Sequence, residues 1–220
     1  MYIDRNEALR YMGYRGQNLD DNMEKLLDAC INEVSNVSKG SSLYKIFDME
    51  RAEEGLHLKG TTLVLCGNDI HTHLSEAEKC AVMAVTLGLE IDKRIAFYSK
   101  TDLAKGLIFD ACAAAAVESL CDTVQEEIEA EARAMGLETT TRYSPGYGDF
   151  SIEIQKDIIK VLDTYRRIGL SVNESSIMIP RKSVTAVIGM QTEKRYKEKN
   201  ICKVCNNRDC LFGKDVKGND

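Results

Sequence analysis

The sequence predicts an α+β fold, a single domain in which a largely antiparallel or mixed twisted sheet is flanked by helices. Three observations carry this prediction. Apolar residues recur at helical spacing in long stretches, including 19–38 and one near 102–135. Apolar or β-branched runs predict strands at 42–48, 55–67, 80–88, 170–172 and 183–190. These helices and strands do not alternate strictly, which argues against a parallel βαβ architecture.

The helix boundaries follow from local capping signals. Helices are predicted over 4–12, 19–38, 68–74, 89–98, 102–135 and 152–168. Asp4 is the expected N-cap of the first helix and Asn18 that of the second. The longest helix follows Thr101 or Asp102 as its cap, contains four consecutive alanines and stops before Gly136.

Composition excludes several classes of function. The chain has 220 residues and a formal net charge of −6, which disfavours sequence-independent binding to nucleic acid. No apolar run reaches the length of a bilayer span, so no membrane partner is expected. The N-terminus lacks a basic region followed by an apolar one, so the chain is predicted to be cytoplasmic.

The eight cysteines fall into two groups. Five lie in apolar periodic segments and are predicted to pack in the core: Cys30, Cys66, Cys80, Cys112 and Cys121. The other three, Cys202, Cys205 and Cys210, have C-x2-C-x4-C spacing in a polar tail over 192–220, which follows the domain predicted over 1–191. In a reducing compartment such a cluster indicates an iron–sulfur or zinc site that takes a further ligand from elsewhere. The alternative is a tail that binds no metal.

The usual catalytic templates are missing from the sequence. It contains no phosphate-binding G-x-x-x-x-G-K-[ST], no G-x-G-x-x-G after a strand, no G-x-S-x-G and no H-E-x-x-H. His71 and His73 are two residues apart and, like His57, are expected at the solvated surface. No catalytic side chain is predicted, which fits a protein that positions reactive partners.

One of the two prolines lies in a segment suited to binding a small molecule, Arg142-Tyr-Ser-Pro-Gly-Tyr147. Arg142 offers a planar fork for a carboxylate. Pro145 and Gly146 permit a sharp turn, and Tyr143 and Tyr147 can stack on a purine. An α-amino-acid carboxylate joined to an adenosyl group would use all of these features. The alternative is a surface loop whose arginine pairs with the acidic end of the preceding helix.

The order of these segments resembles the activation domain of cobalamin-dependent methionine synthase over roughly residues 80–196. The resemblance rests on Arg142-x-x-x-Gly146-Tyr147, then a helix, then Asn173-Glu-Ser with Met178, Pro180, Ser183 and Val184. It implies that Arg142 holds the carboxylate of S-adenosylmethionine and that Tyr147 and Tyr196 contact the adenosyl group. Backbone groups around Ser144–Gly146 would complete the cradle. On the alanine-rich helix, Glu118 is the carboxylate nearest to the place where the family has an acidic residue.

The function implied by this resemblance is reactivation of a corrinoid enzyme. The chain would bind S-adenosylmethionine and support reductive methylation of cobalamin on a separate corrinoid methyltransferase such as methionine synthase. A reductant such as flavodoxin or ferredoxin would be a further partner, and an iron–sulfur centre on the tail would suit a one-electron step. The alternative function is a non-catalytic docking or redox module for a corrinoid protein that bears a metal or an iron–sulfur cluster.

Overall fold

The structure is a computed structural model that describes residues 1–16 and 18–192. The helices are α1 (Arg5–Tyr11), α2 (Asp21–Val37), α3 (Asn68–His73), α4 (Leu89–Thr101), α5 (Leu103–Ala134), α6 (Gln155–Leu162) and α7 (Thr164–Ile168). The strands are β1 (Ser41–Ala52), β2 (Gly55–Leu58), β3 (Val64–Leu65), β4 (Lys79–Thr86), β5 (Glu138–Thr139), β6 (Ser171–Val172), β7 (Met178–Ile179) and β8 (Ser183–Gln191).

Six of these strands form one sheet in the order β3-β2-β1-β4-β8-β5, and every neighbouring pair is antiparallel. Strands β6 and β7 form a separate two-stranded sheet. The predicted α+β class is therefore confirmed, as are the antiparallel sheet and the long helix near 102–135, which is α5.

Two apolar cores lie on opposite faces of the large sheet. The first core is formed with α1, α2, α4 and α5, and the second with α3 and α6. On β4, Ala81, Met83 and Val85 belong to the first core, and Cys80, Val82 and Ala84 belong to the second. Because successive strand residues point to opposite faces, a strand buried on both sides is apolar throughout, as the sequence predicted for this segment.

A charged cluster joins three helices around the first core. The Glu33 carboxylate of α2 accepts hydrogen bonds from Tyr98 (2.6 Å) and Arg94 (3.0 Å) of α4, and lies 2.9 Å from Lys105 Nζ of α5. Burial alone would raise the pKa of Glu33, but the hydrogen bonds from Tyr98 and Lys105 lower it below its ordinary value. The charged carboxylate therefore holds these helices together at neutral pH.

The structure corrects several predicted boundaries. The side chain of Asp20, and not Asn18, caps α2 by accepting from Met23 N at 2.8 Å. The helix predicted over 152–168 is a 3₁₀ turn (Ile152–Ile154) followed by α6 and α7, because Asp163 between them is left-handed. The segment 55–67 divides into β2 and β3, and the two-residue strands β5 and β7 were not predicted.

Two predictions of burial were wrong, the surface position of His73 and the core position of Cys66. His73 is only 5% exposed, because α3 turns this side chain under the segment that contains Thr141. Cys66 is exposed and not in the core, since it follows Leu65, which points inward at the end of β3. Cys30, Cys80, Cys112 and Cys121 are buried as predicted. Among the helices of the described residues, none combines the length and apolar character needed to span a membrane.

Candidate functional site

The segment that contains Arg142 runs beside β8 at the edge of the large sheet. Tyr143 and Val187 exchange two backbone hydrogen bonds of 2.9 Å, and Thr140 N donates to Gly189 O at the same distance. Tyr143 packs against the second core, whereas its neighbour Arg142 reaches α5. Alternation along an extended edge therefore sends adjacent side chains to opposite faces of the sheet.

The chain then makes two consecutive tight turns. Tyr147 N donates to Ser144 O at 3.2 Å, with Pro145 and Gly146 at the two central positions. Gly146 has φ +93°, the value that a type II turn requires at its third residue and that glycine adopts without strain. Phe150 N donates to Tyr147 O at 2.9 Å to close the second turn. The turns bury Pro145 and leave Tyr147 51% exposed.

Arg142 lies against a polar face of α5. One of its guanidinium nitrogens is 2.8 Å from Asp122 Oδ1 and 3.1 Å from Gln125 Oε1, and the other is 3.3 Å from Glu118 Oε2. The three α5 residues are spaced i, i+4 and i+7, so they share one face of the helix. This arrangement places one guanidinium between two carboxylates, a local formal charge of −1.

The electrostatics of this cluster follow from partial burial. Burial alone would lower the pKa of Arg142, but Cys121, Asp122 and Glu118 raise it above its ordinary value. Burial, followed by the Glu118 carboxylate, raises the pKa of Tyr147. Burial also raises the pKa of the Cys121 thiol to about 12, so this thiol is neutral beside the cluster. The site therefore combines a fixed cation, two carboxylates and an exposed phenol.

Three hydrogen bonds, with carboxylate acceptors on both sides, join the turns to α3. The Asp149 carboxylate accepts from Asn68 N (2.7 Å) and Asp69 N (3.0 Å), and Asp69 Oδ2 accepts from Asp149 N at 3.1 Å. These amides lower the pKa of Asp149, which stabilises its charged form. Gly148 is required at this junction because a Cβ there would collide with Asp69 Oδ2.

A comparison with protein families decides the assignment. The family model described as "Vitamin B12 dependent methionine synthase, activation domain" matches residues 25–207 of the chain. The chain belongs to this activation-domain family. No curated protein sequence matches it significantly.

A solved activation domain has the same fold as this one. The crystal structure of the MetH reactivation domain bound to AdoHcy matches with a TM-score of 0.65 and 15% sequence identity. The match covers 89% of this chain and 76% of that chain. At this low identity the match shows a common fold, whereas the roles of individual residues depend on the geometry described above.

In the present structure, some of the predicted site residues lie together and others lie apart. Arg142 and Glu118 are in contact, and Tyr147 lies at the exposed turn beside them. Tyr143 lies on the face opposite Arg142, where its ring centroid is 4.9 Å from that of His73 and 6.1 Å from that of Phe150, but its ring also meets that of Tyr147 edge to face at 5.8 Å. Ser144 and Gly146 contribute backbone groups to the turn.

Four further predicted residues, Tyr196, Cys202, Cys205 and Cys210, lie outside the described part of the chain. Within residues 1–16 and 18–192, no group of three or more His, Cys, Asp or Glu side chains is arranged to hold a metal ion. The three cysteines predicted to bind an iron–sulfur cluster or zinc belong to the C-terminal stretch outside the described residues. The metal site therefore stays a prediction.

Four residues that shape this site were not predicted from the sequence. Asp122 and Gln125 complete the polar face of α5, and their spacing from Glu118 was a readable signal on a long helix. Asp149 and His73 left no such signal, because each forms a hydrogen bond to a segment far away in the sequence. No local pattern predicts such a contact.

Proposed function

We propose that this activation domain binds S-adenosylmethionine and supports reductive methylation of cobalamin on a separate corrinoid methyltransferase such as methionine synthase. The observation that carries the proposal is the cluster of Arg142, Glu118 and Asp122 beside the exposed Tyr147. It lies in the segment Arg142-x-x-x-Gly146-Tyr147 of a chain that belongs to the activation-domain family.

The charged groups of the site complement those of the ligand. The planar guanidinium of Arg142 suits the methionyl carboxylate. Glu118 and Asp122 offer negative charge to the ammonium and sulfonium groups, and Tyr147 offers a ring to the adenine. S-adenosylmethionine carries two positive charges and one negative, so its net charge is opposite to that of the cluster. This match favours the sulfonium form over its neutral demethylated product.

Two further findings support a ligand of this class. A structural neighbour with the same fold was crystallised with AdoHcy, which differs from S-adenosylmethionine by one methyl group. Tyr147 also belongs to a tight turn whose other members are bonded to one another, as in the 2.7 Å hydrogen bond from Gly146 N to Phe150 O. A ligand that meets this turn therefore meets a formed surface, which lowers the ordering cost of binding.

The proposed role requires no nucleophile or base from this chain. The corrinoid of the partner supplies the cobalt that accepts the methyl group. Arg142, Glu118 and Tyr147 would hold the methyl donor in one orientation, and docking of the partner would exclude water from the sulfonium. The proposal also includes a corrinoid-binding partner and a reductant such as flavodoxin or ferredoxin. It further includes a metal centre on the cysteine tail and a cytoplasmic location.

Calorimetric titration of the full chain with three nucleosides tests the ligand assignment. S-adenosylmethionine and S-adenosylhomocysteine are expected to bind with one site per chain. Methylthioadenosine lacks the carboxylate that Arg142 would bind and the ammonium that Glu118 would face. Since each charge-assisted hydrogen bond contributes about 1.5–3 kcal/mol and two charged groups are missing, we expect methylthioadenosine to bind at least roughly 100-fold more weakly.

The same titration can reject the proposal. Equal affinities for all three nucleosides would show that the Arg142 cluster does not bind the amino-acid portion of the ligand. Heat changes no larger than those of ligand dilution would remove the S-adenosylmethionine assignment. In that case the alternative of a metal-bearing docking module would be tested by metal and sulfide analysis of an anaerobic preparation.

A further inference from the structure

The two residues on either side of Arg142 are both held by His73 of α3. His73 Nε2 lies 2.8 Å from the carbonyl oxygen of Thr141, which precedes Arg142. The His73 ring lies 4.9 Å, centroid to centroid, from the ring of Tyr143, which follows it, with a tilt of 37°. A single buried imidazole thus contacts both neighbours of the arginine that is proposed to hold the ligand.

The contact to Thr141 requires a hydrogen on Nε2 of the ring. A backbone carbonyl only accepts hydrogen bonds, so Nε2 must carry a hydrogen and donate it. Since His73 is 5% exposed, an added positive charge would be poorly solvated there. The Nε2–H supplies the hydrogen bond that holds Thr141 in either protonation state, so it is burial that favours the neutral ring.

Helix α3 is itself anchored at both ends, so His73 stands on a fixed support. At the N-terminal end, Asp149 accepts hydrogen bonds from two amides of the helix. At the C-terminal end, one Arg51 nitrogen of β1 donates to Leu74 O (2.9 Å), Ser75 O (2.7 Å) and Ala77 O (2.9 Å). The helix therefore connects β1 of the sheet with the turns that follow Arg142.

We propose that His73 is a positioning residue for Arg142, and that protonation of His73 favours an open segment 141–147, in which the charged ring would be hydrated, and so weakens ligand binding at acidic pH. This inference rests on the proposed function of the Arg142 site. It adds that pH regulates ligand binding at that site, through a residue outside the Arg-x-x-x-Gly-Tyr segment.

The sign of the pH effect follows from burial. Burial lowers the pKa of His73 below its ordinary value of 6.5, and the hydrogen bond to Thr141 offsets part of that shift. In the unfolded chain the ring binds a proton more readily than in the folded protein. The contribution of neutral His73 to the stability of the closed segment is therefore fully present above about pH 6.5. It is lost as the pH falls through the lower pKa of the folded protein.

Several other ionisable groups lie around His73. The elements packed around it carry His71 and Asp69 on α3, Tyr143 and Asp149 in the turn segment, and Arg51 on β1. From β8, the adjacent Val187 and Gly189 have no ionisable group. The backbone amides of Asp69 and Asn68 lower the pKa of Asp149, so this carboxylate stays charged while His73 titrates.

Three variants separate positioning from titration. His73→Gln keeps a side-chain N–H donor but has no charge change with pH, and His73→Leu removes the donor. His71→Gln is the matched control, because it removes a more exposed histidine from the same helix. The first readout needs no ligand. It is amide hydrogen exchange over residues 142–150, where the Tyr143 and Tyr147 amides are hydrogen-bonded, expressed as protection at each pH.

From about pH 7.5 to about pH 5.5 we expect protection of this segment to fall, by at most about tenfold, in the wild type and in His71→Gln. His73→Gln should keep its protection across that range, and His73→Leu should have low protection throughout. Affinity for S-adenosylhomocysteine should follow the same pattern as protection in each of the four proteins.

A wild-type pH profile in His73→Gln, or wild-type protection in His73→Leu, would overturn the inference. If the wild type binds no adenosyl ligand but shows these exchange profiles, the proposed ligand fails while the positioning role of His73 stands.

Discussion

Replacing Arg142 with alanine is expected to weaken S-adenosylmethionine binding roughly 100-fold, equivalent to about 2–3 kcal/mol, because the ligand carboxylate loses its charged partner. The discrimination against methylthioadenosine should decrease in the same variant, because only the ammonium contact to Glu118 would remain. The fold should persist, since Glu118 and Asp122 have side chains that are 39% and 66% exposed and remain solvated without the guanidinium. Calorimetric titration and a thermal unfolding curve measure the two effects separately.

Two companion variants make the Arg142 result specific. Arg142→Lys retains the charge but not the planar fork, so its affinity should be intermediate. Arg166→Ala removes an exposed arginine of α7 and should bind as the wild type does. If Arg142→Ala bound S-adenosylmethionine within about threefold of the wild type, a difference below about 1 kcal/mol, the carboxylate assignment would be wrong.

The largest loss of stability is expected for Phe109→Ala, at about 3–5 kcal/mol. Phe109 lies on α5, is fully buried in the first core, and has its ring centroid 5.5 Å from that of Tyr98. Its removal would leave a cavity in the region where α4 and α5 meet. The free energy of unfolding from urea denaturation measures this loss.

Phe97→Ala is the matched control for Phe109, because this ring lies on the adjacent helix α4 and is 56% exposed. It should change the free energy of unfolding by less than about 0.5 kcal/mol. Similar losses for the two variants would contradict the assignment of Phe109 to a tightly packed core.

Much of the fold could be predicted because its strongest elements are locally encoded. The apolar run of β4 reflects burial on both faces, and the alanine-rich course of α5 reflects its packing under three other helices. The break between α6 and α7 could not be predicted, since it depends on the left-handed backbone of Asp163. The two-residue strand β5 exists only because β8 supplies its partner.

The candidate site shows the same division between local and long-range information. The family resemblance assigned Glu118 and Arg142 to one ligand site, and the two side chains are in contact. The sequence could not reveal that Tyr143 packs against the second core, because that depends on its register against Val187. The burial of His73 depends on the same edge segment, which is about 70 residues away along the chain.

The central claim is that this chain presents a methyl donor to a corrinoid protein, and one transfer experiment tests it most directly. The full chain, S-adenosylmethionine with an isotopically labelled methyl group, a low-potential chemical reductant and a methionine synthase that carries inactive cobalamin would be incubated anaerobically. We predict that label is transferred to the corrinoid only when the chain is present, and that Arg142→Ala transfers far less. Equal labelling with and without the chain, or with the wild type and Arg142→Ala, would contradict the proposed function.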